Sequence, residues 1–211
     1  MSDSTESAVV LQPPFTGPCL VQNSPANRVP SHGTERFATA YSIDLVPVDQ
    51  TGRTAPVTLR TILRPEPLER FPGFGMPVLA PVSGTVVAVH GSDHDHDAYR
   101  GVPSVGYALG QRRRVQRGWP GLAGNHVVIQ TAPRVYVALA HLRCGSLTVA
   151  IDGRIEAGHP LGQCGNSGNS TEPHLHLQAM DGPDPQRARP LPITFDGGLP
   201  RNGQVWRGWV H

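Results

Sequence analysis

Glycine and proline fill 46 of the chain's 211 positions, 24 and 22 respectively. Residues that interrupt a helix at more than one position in five predict many turns and few long helices. The clearest patterns between those turns are β. "MPVLAPVSGTVVAVH" (76–90) carries a turn at Pro81–Gly84 and a β-prone run at Thr85–Val89. "NHVVIQ" and "RVYVALAHL" predict two strands joined through "TAP", and "GSLTVAIDGRIEAGHPLGQCG" predicts short β pieces split by glycine. A strand is expected across "FATAYSIDLVPV" (37–48), and another strand or hairpin across "TAPVTLRTILRPEP" (54–67). No stretch of ten residues has a convincing helical period. The expected fold class is mainly β: a compact antiparallel β-sheet domain with long loops and few short helices.

The organisation follows from where the pattern fails. Residues 1–29 are polar and proline-rich and read as an extended N-terminal segment, a tail before a domain at 30–180. Residues 91–123 show no sustained period of 2 or 3.6 and read as a long surface loop or insertion. Residues 181–211 form a Pro/Gly-rich C-terminal extension holding Trp206 and Trp209, with room for one further strand.

Composition closes several routes. All 18 basic side chains are arginine and the net charge is only +2, which argues against a nucleic-acid binder with its basic face. No apolar run approaches the roughly 20 residues of a membrane span. The start "MSDSTESAVV" has neither a basic nor an apolar signal region, so a cytoplasmic location is expected on sequence alone. Three cysteines make no disulfide framework; one pair with a free thiol remains open, Cys144 with Cys164 being the expected pair. No C-x-x-C occurs, which argues against a thiolate zinc site.

The chemistry is concentrated in "NSGNSTEPHLHLQ" (166–178). In a strand, His174 and His176 share one face and Leu175 and Leu177 the other, with the two histidine Cα atoms about 6.7 Å apart. Both imidazoles can reach one small site while the leucines anchor the strand in the core. A solvent-facing strand with two histidines has the same spacing; the glycine loop before it and the His and Asp candidates upstream favour a metal. Ten histidines are available, and zinc hydrolases need about three His/Asp/Glu ligands, an open position for water and a separate proton carrier. His141 ends the apolar "VALAHL", where an imidazole needs a partner. Asp44 sits within Ile43-Asp44-Leu45, where a carboxylate needs a cation or strong donors. The run "DHDHD" (93–97) has ligand types but lies in the irregular insertion and reads as a solvated loop. Asn125 reads as a turn residue, and Cys164 carries no mark of an activated nucleophile.

"MPVLAPVSGTVVAV", "GNHVVIQ", "LAHL" and "IEAGHPLGQCGNSGNSTEPHLHLQ" stand in the order of the lysostaphin/LytM-type zinc metallopeptidases, which the chain resembles over roughly residues 30–180. The resemblance implies a duplicated hybrid motif-like β fold with a groove over one sheet. It implies zinc-dependent endopeptidase cleavage of peptides in bacterial cell-wall peptidoglycan by a metal-activated water. By position, His176 resembles a zinc ligand, and His174 and His141 resemble the catalytic histidines. The remaining ligands would be His32 and Asp44, which stand twelve positions apart where the family often has four. Glu35 is the rival oxygen ligand; Asp44 is preferred because a strand positions ligands better than a loop. The insertion would form one groove wall, and its "QRRRVQRG" (111–118) could meet anionic wall polymer or be an ordinary solvated loop. The partner implied is a peptidoglycan peptide, the chain is expected to be monomeric, and the family function would put it in the wall or outside the cell. Two alternatives stand beside this reading: a non-catalytic scaffold that activates another wall hydrolase, and a cytoplasmic zinc hydrolase of another small substrate.

Overall fold

The computed structural model describes residues 7–208, so Trp209 and His211 lie outside the described residues. Strands β1 (Val9–Leu11), β2 (Cys19–Gln22) and β3 (Ile43–Pro47) precede a short helix α1 (Leu59–Leu63). Strands β4 (Pro77–Leu79) and β5 (Gly84–His90) follow, then helices α2 (Val102–Leu109), α3 (Gln111–Gln116) and α4 (Gly118–Ala123). Next come β6 (Asn125–Ala132), β7 (Val135–Leu142), β8 (Arg154–Ile155), β9 (Pro160–Gln163) and β10 (Leu175–Met180). The chain closes with β11 (Pro190–Leu191), β12 (Ile193–Phe195) and β13 (Val205–Trp206).

The fold is mainly β. One antiparallel sheet runs β13-β2-β3-β10-β7-β6-β5-β8, with β11 also paired to β10. Period-2 alternation gives this sheet two different faces. Val21, Ile43, Leu45, Val127, Ile129, Val137, Leu139, Leu175 and Leu177 point into the main core. On the other face, the small Ala138 and Ala140 meet Met180 and the Trp119 and Ala123 side chains of α4. Helix α4 therefore covers only part of that face. Beside it opens a groove of about 300 Å³, floored by Ala140.

Several elements differ from the sequence expectation, each for a physical reason. The expected strand at 37–48 is reduced to Ile43–Pro47, because Phe37 and Ala38 take φ values of 60° and turn the chain out of the sheet. Within 54–67 a five-residue helix replaces the expected strand or hairpin, with the Thr58 N–H donating to the Thr61 hydroxyl at its start. The insertion is helical over 102–123, not a loop. Its exposed apolar residues Val102, Val105 and Leu109 face solvent, while Tyr107 and Arg114 make the inward contacts, so no amphipathic signal was legible. Residues 7–29 are no loose tail: β1 pairs with β12 and β2 lies between β3 and β13. Among the described residues, three strands, not one, lie beyond residue 181.

The expected Cys144–Cys164 pair does not form, and all three cysteines are free. Cys164 turns into the main core with Cys19 while Cys144 stays half-buried. Burial pushes the Cys19 thiol up to about 12 and Cys164 well above its ordinary value, so neither is a nucleophile at neutral pH.

The turn before β10 is seated by close backbone contact. A Cβ on Gly168 would lie 2.4 Å from the Gly124 nitrogen and the Leu122 carbonyl oxygen, and a Cβ on Gly124 would lie 2.5 Å from the Gly168 nitrogen. Both residues have positive φ, 70° at Gly168 and 60° at Gly124. Asn169 N–H then donates to Leu122 O at 2.8 Å. Gly168→Ala is expected to lower stability by at least about 1–3 kcal/mol and to raise amide exchange at Asn169, read by urea denaturation and hydrogen exchange.

Candidate metal centre

Strand register places the centre. On β10, His176 lies opposite Asp44 of β3 and opposite Ala140 of β7. Directly paired residues of this kind hold their Cβ atoms about 5 Å apart. His32 reaches the same point from the loop before β3. One ligand atom from each of His32, Asp44 and His176 lies within 4.8 Å of the others, and no other such group occurs among the described residues.

Asp44 is only 5% exposed. Its Oδ2 accepts from Asn23 Nδ2 at 2.7 Å and lies 3.0 Å from His32 Nε2. Its Oδ1 lies 2.9 Å from His176 Nδ1 and 3.8 Å from His174 Nε2. Burial pushes the carboxyl up, but His32 and His174 and the hydrogen bonds from His176 and His32 outweigh it and hold it well below its ordinary value.

The outer contacts decide which nitrogen of each ring faces Asp44. Gln178 donates through Nε2 to the Phe37 carbonyl at 2.9 Å, so its Oε1 faces His176 Nε2, also at 2.9 Å, and that nitrogen must carry the proton. Nδ1 of His176 is then the ring nitrogen turned to Asp44. His32 follows the same logic. The Ser31 and Ser42 hydroxyls both donate to Thr39 O, leaving their lone pairs to accept from His32 Nδ1 at 3.0 and 2.8 Å. His32 Nε2 is therefore the nitrogen turned to Asp44. Two ring lone pairs and a carboxylate converge, so a cation has to sit between them, a proton on a ring or a metal ion. The donor set, two imidazole nitrogens and one carboxylate oxygen, fits zinc.

His141 and His174 flank this point, with ring centroids 4.6 Å apart. His141 donates through Nδ1 to Ser167 O at 2.9 Å, and His174 donates through Nδ1 to Glu172 O at 2.8 Å. Both line the groove with Nε2 as the free nitrogen. His141 is aimed by a β-bulge: the β6–β7 register shifts between Asn125 and His126, and His141 takes φ 64°, a conformation rare for a side-chain-bearing residue. Burial, with His174 and His176 adding to it, holds the His141 pKa well below its ordinary 6.5.

The five residues singled out in the sequence thus meet in one groove. Glu35 does not join them; it is exposed before the short helical turn at 36–38. The 93–97 run forms no metal cluster among the described residues. Asp95 instead accepts from the backbone of Asn166 at 2.6 Å and Cys144 at 2.9 Å. Asn125 is a buried clasp, bonded to Asp93 and Leu142. The sequence reading missed Asn23, Ser31, Ser42 and Gln178. Only Gln178 carried a signal, two residues beyond His176 and so on the same face of the strand.

Metal-free protein should show the His141 shift directly. With a folded pKa below the unfolded 6.5, the unfolded chain takes up the proton first. The stability His141 contributes is therefore full above about pH 6.5 and is lost as pH falls below it. In chelator the urea midpoint is expected to drop from pH 7.5 to 5.5, and to drop less in His141→Gln.

The sequence model of Peptidase family M23 matches residues 71–188, which include His141, His174 and His176 but not His32 or Asp44. Among solved structures, a mutant catalytic domain of the prophage-encoded M23 protein EnpA from Enterococcus faecalis is 19% identical. The match covers 72% of this chain and 73% of that one, with a TM-score of 0.41. The catalytic domain of lysostaphin from Staphylococcus simulans is 18% identical over 71% of this chain and 74% of its own, with a TM-score of 0.40. A zinc-containing peptidase from Vibrio cholerae is 16% identical over 71% and 48%, with a TM-score of 0.37. The family match spans more than half of the sequence, and on it the chain belongs to Peptidase family M23.

Proposed function

We propose that this protein is a zinc metalloendopeptidase that hydrolyses peptide bonds in bacterial cell-wall peptidoglycan. The observation that carries the reading is the convergence of His32 Nε2, Asp44 and His176 Nδ1 on one point, with the free Nε2 atoms of His141 and His174 beside it in the same groove. His32, Asp44 and His176 would hold the ion. An ion held there would supply a water of lowered pKa and polarise a carbonyl.

The chain's own residues do the rest. Ser31, Ser42 and Gln178 keep the coordinating nitrogens bare and aimed. Asp44 offsets part of the ion's charge, and Asn23 fixes its second oxygen. His141, kept neutral by burial, starts as a proton acceptor at Nε2. His174, beside it, can donate from Nε2 to the developing oxyanion or the leaving amine once that nitrogen has taken up a proton. Retention of all five groups favours the enzyme over the non-catalytic scaffold. A wall substrate would put the working protein outside the cytoplasm.

The test pairs zinc stoichiometry with mass spectrometry of muropeptides released from purified peptidoglycan. Wild type is expected to bind one zinc per chain and to release cut cross-links. His176→Ala should lose the metal. His141→Ala should keep the metal and lose kcat by about 10²–10⁴-fold. Equal zinc in wild type and His176→Ala would remove His176 from the ligand set. Metal-loaded wild type that leaves the wall intact and cuts soluble peptides would move the reading to the small-substrate hydrolase.

A further inference from the structure

We propose that Asn169 is a substrate-binding residue whose side-chain N–H₂, aimed by Arg114 of the inserted helices, donates to a peptide carbonyl of the substrate. The inference rests on the peptidase reading above. Asn169 is half-buried and lines the same groove as His141 and His174. Arg114 Nε donates to its Oδ1 at 2.7 Å. A guanidinium has only donors, so the atom facing it is the amide oxygen, and the N–H₂ forms the other end of the planar group.

That N–H₂ has no partner among the described residues. Two other side-chain amides near the site are used differently. Asn125 is bonded at both ends, and Asn23 spends its N–H₂ on Asp44. Asn169 alone of the three presents a fixed, unused donor in the groove. An amide N–H₂ matches a carbonyl oxygen, the group an extended peptide presents at every residue.

Arg114 is itself held. Its Nη2 donates to Tyr107 O at 2.6 Å, and its guanidinium stacks 3.8 Å from the Tyr107 ring centroid. Tyr107 hydroxyl donates to Gly168 O at 2.7 Å, and its ring stacks on Tyr99 at 4.6 Å. Helices α2 and α3 therefore hold the turn 168–169 through Tyr107 and Arg114. The insertion thereby acquires a role in substrate binding, in which Asn169 touches the peptide and Arg114 is a positioning residue acting through it.

The experiment measures cleavage of soluble muropeptides by zinc-loaded protein. Asn169→Asp keeps the shape and replaces the donor by an acceptor. It is expected to raise KM about 10- to 100-fold with kcat nearly unchanged and zinc content the same. Arg114→Ala should raise KM by less. The double variant should be no worse than Asn169→Asp alone, because Arg114 acts through the same amide. Asn169→Ala, read by calorimetric binding of a muropeptide to the chelated protein, should weaken binding in step and guards against misfolding of the Asp variant. An unchanged KM in Asn169→Asp, or multiplying effects of the two substitutions, would overturn the inference and leave the peptidase reading standing. Wild type that neither binds nor cuts muropeptides would overturn both.

Discussion

A carboxylate buried between two imidazoles is the constraint on which the rest of the site depends. Asp44 has almost no exposure to water, and an unpaired charge so placed would cost several kcal/mol. Its neighbours do not neutralise it with fixed positive side chains. They offer ring nitrogens whose other nitrogen is already committed to a serine pair or a glutamine oxygen. The arrangement is complete only with a cation between the rings and the carboxylate. With no metal ion in that place, His32 and His174 beside the carboxylate are the first of the groups that hold the Asp44 carboxyl low. A divalent ion there matches the three convergent lone pairs.

Uncommon backbone conformations gather where aim matters. His141 sits in the left-handed region at a bulge, so its side chain leaves the sheet plane towards His174. Phe37 and Ala38 do the same in the loop between His32 and Asp44, and the Phe37 carbonyl then reaches Gln178. Each such residue carries strain of order 1–3 kcal/mol, tolerated where surrounding contacts over-determine the geometry. The long His32–Asp44 spacing is thereby explained. The extra residues make a loop whose two ends, Ser31 and Ser42, orient one ligand and whose apex orients the residue behind another.

The inserted helices carry a second lesson. In α2 the apolar Val102, Val105 and Leu109 face water, and the useful contacts of α2 and α3 are a tyrosine hydroxyl, a guanidinium and a backbone carbonyl. A periodicity search takes an apolar stripe for the buried face, and in α2 that stripe is the exposed one. The cysteines misled in the same way. Cys144 and Cys164 are close in sequence, but one faces the surface and the other the core, and only side-chain direction distinguishes them.

The amino-acid sequence by itself determined the β character, through its density of glycine and proline. It also determined the faces of β10, because alternation along His174-Leu175-His176-Leu177 is a local property of an extended chain. The long motif around those histidines was enough to indicate a metallopeptidase. Tertiary structure alone decided that Asp44 rather than Glu35 faces His176, because strand register is a relation between segments more than a hundred residues apart. It alone decided which ring nitrogens face the carboxylate, since each depends on a hydrogen bond from another loop. The partners of a buried polar group are chosen by packing, and packing is not written in the spacing of any one stretch of chain.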